Sequence, residues 1–255
     1  MLYKVLLLTG IIFIFDFAIG KTLEHFYFTQ ASGPFYRTTY SMDSTRADIL
    51  IFGSSRANHH YDPRVFENSL RMSCYNNGRD GNFLLYNYAV FKTVIERYTP
   101  QIVIFDVDRN ELSSTADDYE RLSSLLPYKN RNSAVDQTIA LRGPYEKVKC
   151  LSNIYPYNSL LLTIAIGNTE MNKERKPDIK GYVPISGTWN ITSAGIDSNP
   201  IRQIANANKV EYLDYSSDTT YLNNHNYFSD PAHLNENGAR LFSGTLAAYL
   251  QKSEE

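Results

Sequence analysis

The stretch Ala47-Asp-Ile-Leu-Ile-Phe-Gly-Ser-Ser-Arg56 constrains the fold more than any other part of the sequence. Ile49 to Phe52 is an unbroken apolar run, the length of a strand buried on both faces, as in a parallel sheet. It ends at Gly53, and two hydroxyl side chains, Ser54 and Ser55, follow before the polar stretch Arg56 to Asp62. A buried strand that stops at a glycine turn delivers the next side chains just beyond its carboxyl end. In open α/β sheets that crevice is where ligands bind. The same residues also suit a plain strand end in which a serine caps the following helix.

The alternation continues. Asp62 and Pro63 open a helix over 63–70, the Asp as cap and the Pro in the first turn. Met72 to Tyr75 reads as a second strand, followed by Asn76-Asn-Gly-Arg-Asp-Gly-Asn82. Apolar residues at 84, 85, 88, 91, 94 and 95 give Phe83 to Tyr98 a helical period, and Thr99-Pro100 stops it. Ile102 to Val107 is a third strand, with Asp108-Arg-Asn-Glu111 after it. Strand, helix and strand joined by short connections imply parallel pairing with right-handed crossovers, hence a doubly wound α/β sheet.

The second half is less regular. Tyr145 to Ile154 reads as helix, and Leu160 to Ile166 as either a buried helix or a strand. Asn172 to Pro200 is rich in turn formers and offers no convincing element. Ile201 to Asn208 ends a helix, and Val210 to Tyr215 reads as a strand. Asn235 to Gln251 is an amphipathic helix capped by Asn235, with Leu241, Phe242, Leu246 and Leu250 as its apolar stripe.

Composition excludes more than it selects. A chain of 255 residues makes one large domain or two small ones. Its net charge of -2 comes without a basic tract for nucleic acid or an acidic tail. Its 20 tyrosines suit a surface that is part polar and part apolar, such as one facing carbohydrate, and suit a core equally well. Two cysteines, Cys74 and Cys150, give neither a disulfide framework nor metal-ligand spacing, and Cys74 reads as a buried thiol. No metal or other cofactor is expected.

Lys4 precedes Val5 to Phe15, apolar apart from Thr9 and Gly10, and Asp16-Phe-Ala-Ile-Gly20 follows. A short charged region, an apolar core and small residues at Ala18 and Gly20 make an export signal. A retained anchor is the second reading, although a span takes about 20 residues and Asp16 shortens this one. A buried helix is the third. The chain therefore divides into a signal or anchor over 1–20, a connecting arm over 21–46 and a domain over 47–255, with membrane contact confined to the first.

The ends of parallel strands share one edge of the sheet, so Ser54-Ser55, Gly78 with Gly81, and Asn110 should converge. Just before the last helix lies Asp230-Pro-Ala-His233. A hydroxyl nucleophile needs a base and a group that orients the base. Ser55, His233 and Asp230 supply those three parts. The backbone N–H groups of Ser55 and Gly81 and the amide of Asn110 would then hold the oxyanion of acyl transfer. Ser54, Arg56 and His59 are candidates to line the site. Asp230-Pro231 is also a helix-start signature, and Gly78, Gly81 and Asn110 also suit plain turns.

These residues resemble the blocks of the SGNH (GDSL-like) hydrolase superfamily. Phe52-Gly53-Ser54-Ser55 is similar to its first block, with Ser54 where an Asp is usual and Ser55 at the nucleophile position. Asn76 to Gly81 resembles the second block, and Val107 to Glu111 the third, with Asp108-Arg109 in place of the usual glycines. Asp230-Pro-Ala-His233 matches the last block, and the resemblance covers Asp48 to Leu250. It implies a three-layer α/β/α sandwich with a flavodoxin-like parallel sheet of about five strands. One further strand and helix are expected between Val107 and Val210; either Leu160 to Ile166 supplies them or the sheet has lost a strand.

The resemblance narrows to exported bacterial envelope members, some similar to partners of membrane-bound O-acyltransferases that modify polysaccharides. It implies a serine esterase of the periplasm or cell envelope, acting on acyl esters, O-acetyl groups on carbohydrate foremost. Acyl transfer to a polysaccharide hydroxyl, and a non-catalytic scaffold in an acyltransferase complex, are the alternatives.

Overall fold

The structure, a computed structural model, describes residues 2–112, 115–169, 178–189, 199–222 and 224–253. It opens with a single helix, α1 (Leu2–Phe28), followed by α2 (Gly33–Asp43). The apolar segment and the expected arm are thus not separate: the helix runs through residue 20, and most of the arm is helical. Among the described residues, α1 is the one helix long and apolar enough to cross a membrane. Its first turns are exposed, which removes the buried-helix reading for them.

A small open parallel sheet forms the centre of a mixed α/β fold. β1 (Ile49–Phe52) lies between β2 (Cys74–Asn76) and β3 (Ile102–Phe105), with Ile49 opposite both Cys74 and Ile102. All four β1 side chains are fully buried, each such residue contributing about 1.5–3 kcal/mol. The strand's alternation divides them between two cores. Leu50 and Phe52 join Tyr27 of α1, Phe35 and Met42 of α2, and Val90 and Val94 of α5 (Leu84–Ile95). Ile49 and Ile51 join Ala57 of α3 (Ser55–His60), Phe66 of α4 (Pro63–Leu70) and Leu246 near the carboxyl end. Helices therefore cover both faces, as the length of the β1 run requires.

The sheet has three strands among the described residues, not about five. β3 is an edge, with Val103 and Phe105 partly exposed. After it the chain turns helical instead of adding strands. A 3-10 turn (Arg109–Leu112) leads into α6 (Ala116–Arg121), a 3-10 segment (Leu122–Tyr128), α7 (Ser133–Ala140) and α8 (Glu146–Lys149). The apolar run at 160–166 forms α9 (Leu161–Gly167) against α1, so it replaces no strand. The helix expected over 145–154 is only the four residues of α8, because Asn153 and Ser152 turn to bind Asp16 instead.

The strand expected over 210–215 is also absent: this stretch follows α10 (Asn199–Ala207) as irregular chain, with Val210 exposed and only Leu213 reaching the second core. It lacks the unbroken apolar run that a doubly buried strand requires. Within the turn-rich stretch 172–200, residues 172–177 and 190–198 lie outside those described; 178–189 carries one bridge, Ile179 to Tyr182. A short α11 (Thr219–Leu222) precedes the last helix, α12 (Glu236–Ser253). Asn235 caps α12 as expected, its side-chain oxygen accepting from the N–H groups of Asn237 and Gly238. Leu246 is buried, while Leu241, Phe242 and Leu250 pack at the margin of the core.

Candidate active site

Ser55 is the first residue of α3, directly beyond the carboxyl end of β1. Ser54 occupies the N-cap position but makes no capping bond; its buried side chain instead hydrogen-bonds Glu111. The two neighbouring hydroxyls are thereby aimed at different partners.

The loop that brings His233 to this edge is tightly closed. Phe228 and Leu234 pair across it, and the Ser229 N–H and hydroxyl donate to the His233 carbonyl at 2.9 and 3.2 Å. The Leu234 N–H donates to His60 Nε2 at 3.0 Å. Burial, and then the charge of Arg56, hold His60 well below the usual histidine range, which keeps that nitrogen an acceptor. The helix that begins with Ser55 thus ends with the residue that fixes the loop carrying His233.

Asp230 turns the same loop, its Oδ1 accepting from the N–H groups of Ala232 and His233 at 2.8 and 2.9 Å. It also lies 2.8 and 2.9 Å from His233 Nδ1 through its two oxygens. An N–H at Nδ1 facing this carboxylate leaves the Nε2 lone pair free to accept. Nε2 sits 2.8 Å from Ser55 Oγ. Partial burial pulls the Asp230 carboxyl upward, but hydrogen bonds from Ala232 and His233 outweigh it, so this group stays ionised below the ordinary carboxylate range. Asp230 and His233 are both partly exposed, so this hydrogen-bonded series is open to solvent on one side.

No family model matches the chain, and no curated protein or solved structure matches it at a significant level. The geometry therefore carries the functional reading.

The second loop closes on α3. Gly78 lies against the backbone of Ala57 and Asn58, Asn58 Nδ2 donates to Asp80 Oδ1 at 2.7 Å, and the Arg79 N–H donates to the Gly53 carbonyl at 3.1 Å. The Arg79 side chain is buried on the Phe35 ring and donates to Thr38 and to the Tyr86 hydroxyl, tying the loop to α2 and α5. Gly81 has φ of +66° and its carbonyl accepts from Arg121 at 3.3 Å. Asn110 lies on the exposed 3-10 turn after β3, where its N–H donates to Asp108 Oδ1 at 2.9 Å.

Of the expected lining residues, His59 has both ring nitrogens engaged, Nδ1 at 2.6 Å from the Val183 carbonyl and Nε2 at 3.0 Å from Asp80. Its ring meets His233 edge-on at 5.6 Å. Arg56 points toward the end of β3. Its Nε and Nη2 grip Asp106, and Nη1 donates to Asp108 at 2.9 Å. The Tyr61 hydroxyl donates to the other Asp106 oxygen at 2.7 Å.

Sequence reasoning gave no role to Asp80, Asp106 or Glu111. Extending the third strand to Val107 put Asp106 inside a strand, whereas β3 stops at Phe105 and Asp106 begins the site's edge. Glu111 is set apart chemically: burial, and then the charge of Asp106, push its carboxyl up to about 7 against hydrogen bonds from the Asp108 backbone and Ser54. Nothing in the local sequence signals this, because the pressure comes from the fold. Among the described residues, no cluster of three or more His, Cys, Asp or Glu side chains is arranged to hold a metal. A cavity of about 770 Å³ between α2 and β2, lined by Tyr36, Tyr40 and Tyr75, shares no residue with this site.

Proposed function

We propose that this chain is a serine esterase that hydrolyses acyl esters, O-acetyl groups on envelope carbohydrate foremost. The observation that carries the reading is the continuous path from Asp230 through His233 to Ser55 Oγ, with 2.8 Å at its last step. Ser55 attacks the ester carbonyl as His233 Nε2 takes the hydroxyl proton, and Asp230 holds the ring in the tautomer that accepts it. The carbonyl oxygen gains charge, with the backbone N–H groups of Ser55 and Gly81 and the Asn110 amide as its donors. Collapse of this intermediate breaks the ester C–O bond, and His233 gives its proton to the departing sugar oxygen. Water, activated in turn by His233, then releases the acid from Ser55.

An SGNH-type assignment accounts for the order of the pieces along the chain and for the edge they share. The strand order β2-β1-β3 is also that of the first three strands of a flavodoxin-like sheet. Carbohydrate as the alcohol part of the ester rests on the resemblance and on the open side of the relay.

Labelling with a fluorophosphonate tests the reading. The folded wild type should take one adduct at Ser55, Ser54→Ala should keep it, and Ser55→Ala should lose it. An unlabelled but folded wild type would sink the enzymatic reading. Adding a sugar acceptor to the acetylated protein then separates hydrolysis from transfer.

A further inference from the structure

We propose that the folded domain sits on a phospholipid bilayer through an apolar collar around α1, formed by Phe17 and Ile19 on the helix, Val148 and Leu151 beside it, and Leu161 and Leu162 on α9. In this arrangement α1 is kept as part of the mature fold.

The domain grips α1 from Asp16 onward. The Asp16 carboxylate accepts from the Ser152 hydroxyl at 2.5 Å, from the Asn153 N–H at 2.7 Å and from the Asn153 side-chain amide at 3.0 Å. One turn further on, a Cβ at Gly20 would lie 2.3 Å from Asn153 Cβ, so only glycine allows this approach. At the far end Tyr27 is fully buried, its hydroxyl 3.2 Å from that of Tyr128. A cut after Gly20 would leave Ser152 and Asn153 without Asp16. An export signal destined for removal has no need of these contacts.

Distance then sets where the bilayer lies. Lys4 and Asp16 bracket the run Val5 to Phe15, about 16 Å of helix at 1.5 Å per residue, against a hydrocarbon core of about 30 Å. The lipid-facing zone has to continue past Asp16, whose charge is already served by protein donors. It does so along Phe17, 57% exposed, and Ile19, up to Lys21. At that level α1 is flanked by the domain itself, through residues 152–154.

The flanking surface is apolar where a water-facing edge would be polar. Leu151, immediately before the Asp16 contacts, is 75% exposed, and Leu162, at the start of the helix packed on α1, is 73% exposed. Val148 and Leu161 are also exposed, and Lys147 and Tyr145 stand next to Val148. Single exposed leucines are ordinary on soluble proteins. A group of them on, or next in sequence to, the segments that hold a lipid-facing helix, beside a Lys and a Tyr, has the composition of an interfacial surface. Such surfaces sink about 5–10 Å into the headgroup boundary, enough to offset most of the missing span.

The test is independent of catalysis. Full-length chain with Cys150→Ser carries Leu151→Cys or Leu162→Cys labelled with an environment-sensitive fluorophore, and is reconstituted in phosphatidylglycerol–phosphatidylcholine vesicles. The expected result is a blue-shifted emission quenched by doxyl groups on the lipid chains, unchanged on dilution of protein in lipid. A label at Lys209 in the same background should stay in water. Emission at 151 and 162 that matches the Lys209 label would overturn the proposal. So would a blue shift that fades as protein is diluted, which would mean a second copy covers the face, or an intact mass showing loss of residues 1–20 in the exporting host.

Discussion

His233 Nε2 stands 2.8 Å from Ser55 Oγ although the two residues are 178 positions apart. The approach is built by α3 at both ends, since Ser55 opens it and His60 near its close accepts the Leu234 N–H. The loop that carries His233 is therefore tied to the helix that carries Ser55.

The Asp230 carboxylate, against His233 Nδ1, gives the first consequence to test. Asp230→Asn keeps an oxygen for the Ala232 and His233 N–H groups, so the loop should hold its shape. It offers His233 Nδ1 a donor or a neutral acceptor in place of a charge, which favours the wrong tautomer. Under the proposed mechanism kcat against an activated acetyl ester should fall about 10³–10⁴-fold with little change in melting temperature. A loss under tenfold would show that Asp230 serves the loop alone.

Loop closure makes a second expectation. A Cβ on Gly78 would lie 2.3 Å from the Asn58 backbone nitrogen, which cannot move without moving α3. On Gly81 the nearest atom is the end of the flexible Arg121 side chain at 2.5 Å, and the strain is mainly that of φ at +66°. Gly78→Ala should therefore cost about 2–3 kcal/mol or more, and Gly81→Ala about 1–2 kcal/mol. Urea denaturation of the two variants side by side measures the difference, and the reverse order would contradict this packing.

The meeting of Ser55, His233 and Asp230 was more legible than the sheet, for a physical reason. Ser55, Asp230 and His233 are recognisable because each sits where a local rule applies: Ser55 at a strand end, Asp230 and His233 in a tight polar turn just before a capped helix. Val210 to Tyr215 and Leu160 to Ile166 satisfy local rules for strands too, but a strand needs a neighbour, and after β3 the chain spends its apolar residues on α1, α2 and α5. The N-terminal helix was divided at residue 20 for the converse reason: a signal-like pattern ends there, while the Asp16 and Gly20 contacts that carry the helix on into the fold are made with residues more than a hundred positions away.

A third expectation concerns Arg56 and its two carboxylates. Asp106 is nearly buried and receives both Arg56 and the Tyr61 hydroxyl, whereas Asp108 is more exposed and takes one guanidinium bond. Removing the deeper charge leaves a largely enclosed guanidinium without its main partner. Asp106→Asn should cost about 2–3 kcal/mol, less than a fully buried pair because Arg56 keeps some solvent, and Asp108→Asn about 1 kcal/mol or less. Because Arg56 follows Ser55 directly, Asp106→Asn should also slow acetyl-ester hydrolysis. Equal denaturation midpoints for the two variants would show that burial does not rank these pairs.

Glu111 provides the last expectation, through pH. Burial and the charge of Asp106 raise its carboxyl from 4.5 in the unfolded chain to about 7 in the fold. A raised pKa means that the folded state holds the proton more tightly. Its contribution to stability is therefore complete below about pH 4.5 and disappears as pH rises through about 7. The difference is at most about 3 kcal/mol, reduced by residual solvent contact. Melting temperature should accordingly fall for the wild type between pH 5 and 7.5 beyond the trend of the other groups. Glu111→Gln, neutral throughout, should flatten that fall while keeping a side-chain partner for Ser54. If the two proteins show parallel profiles over this range, Glu111 is ionised in the fold at pH 5, and the pressure assigned to Asp106 and burial is not there.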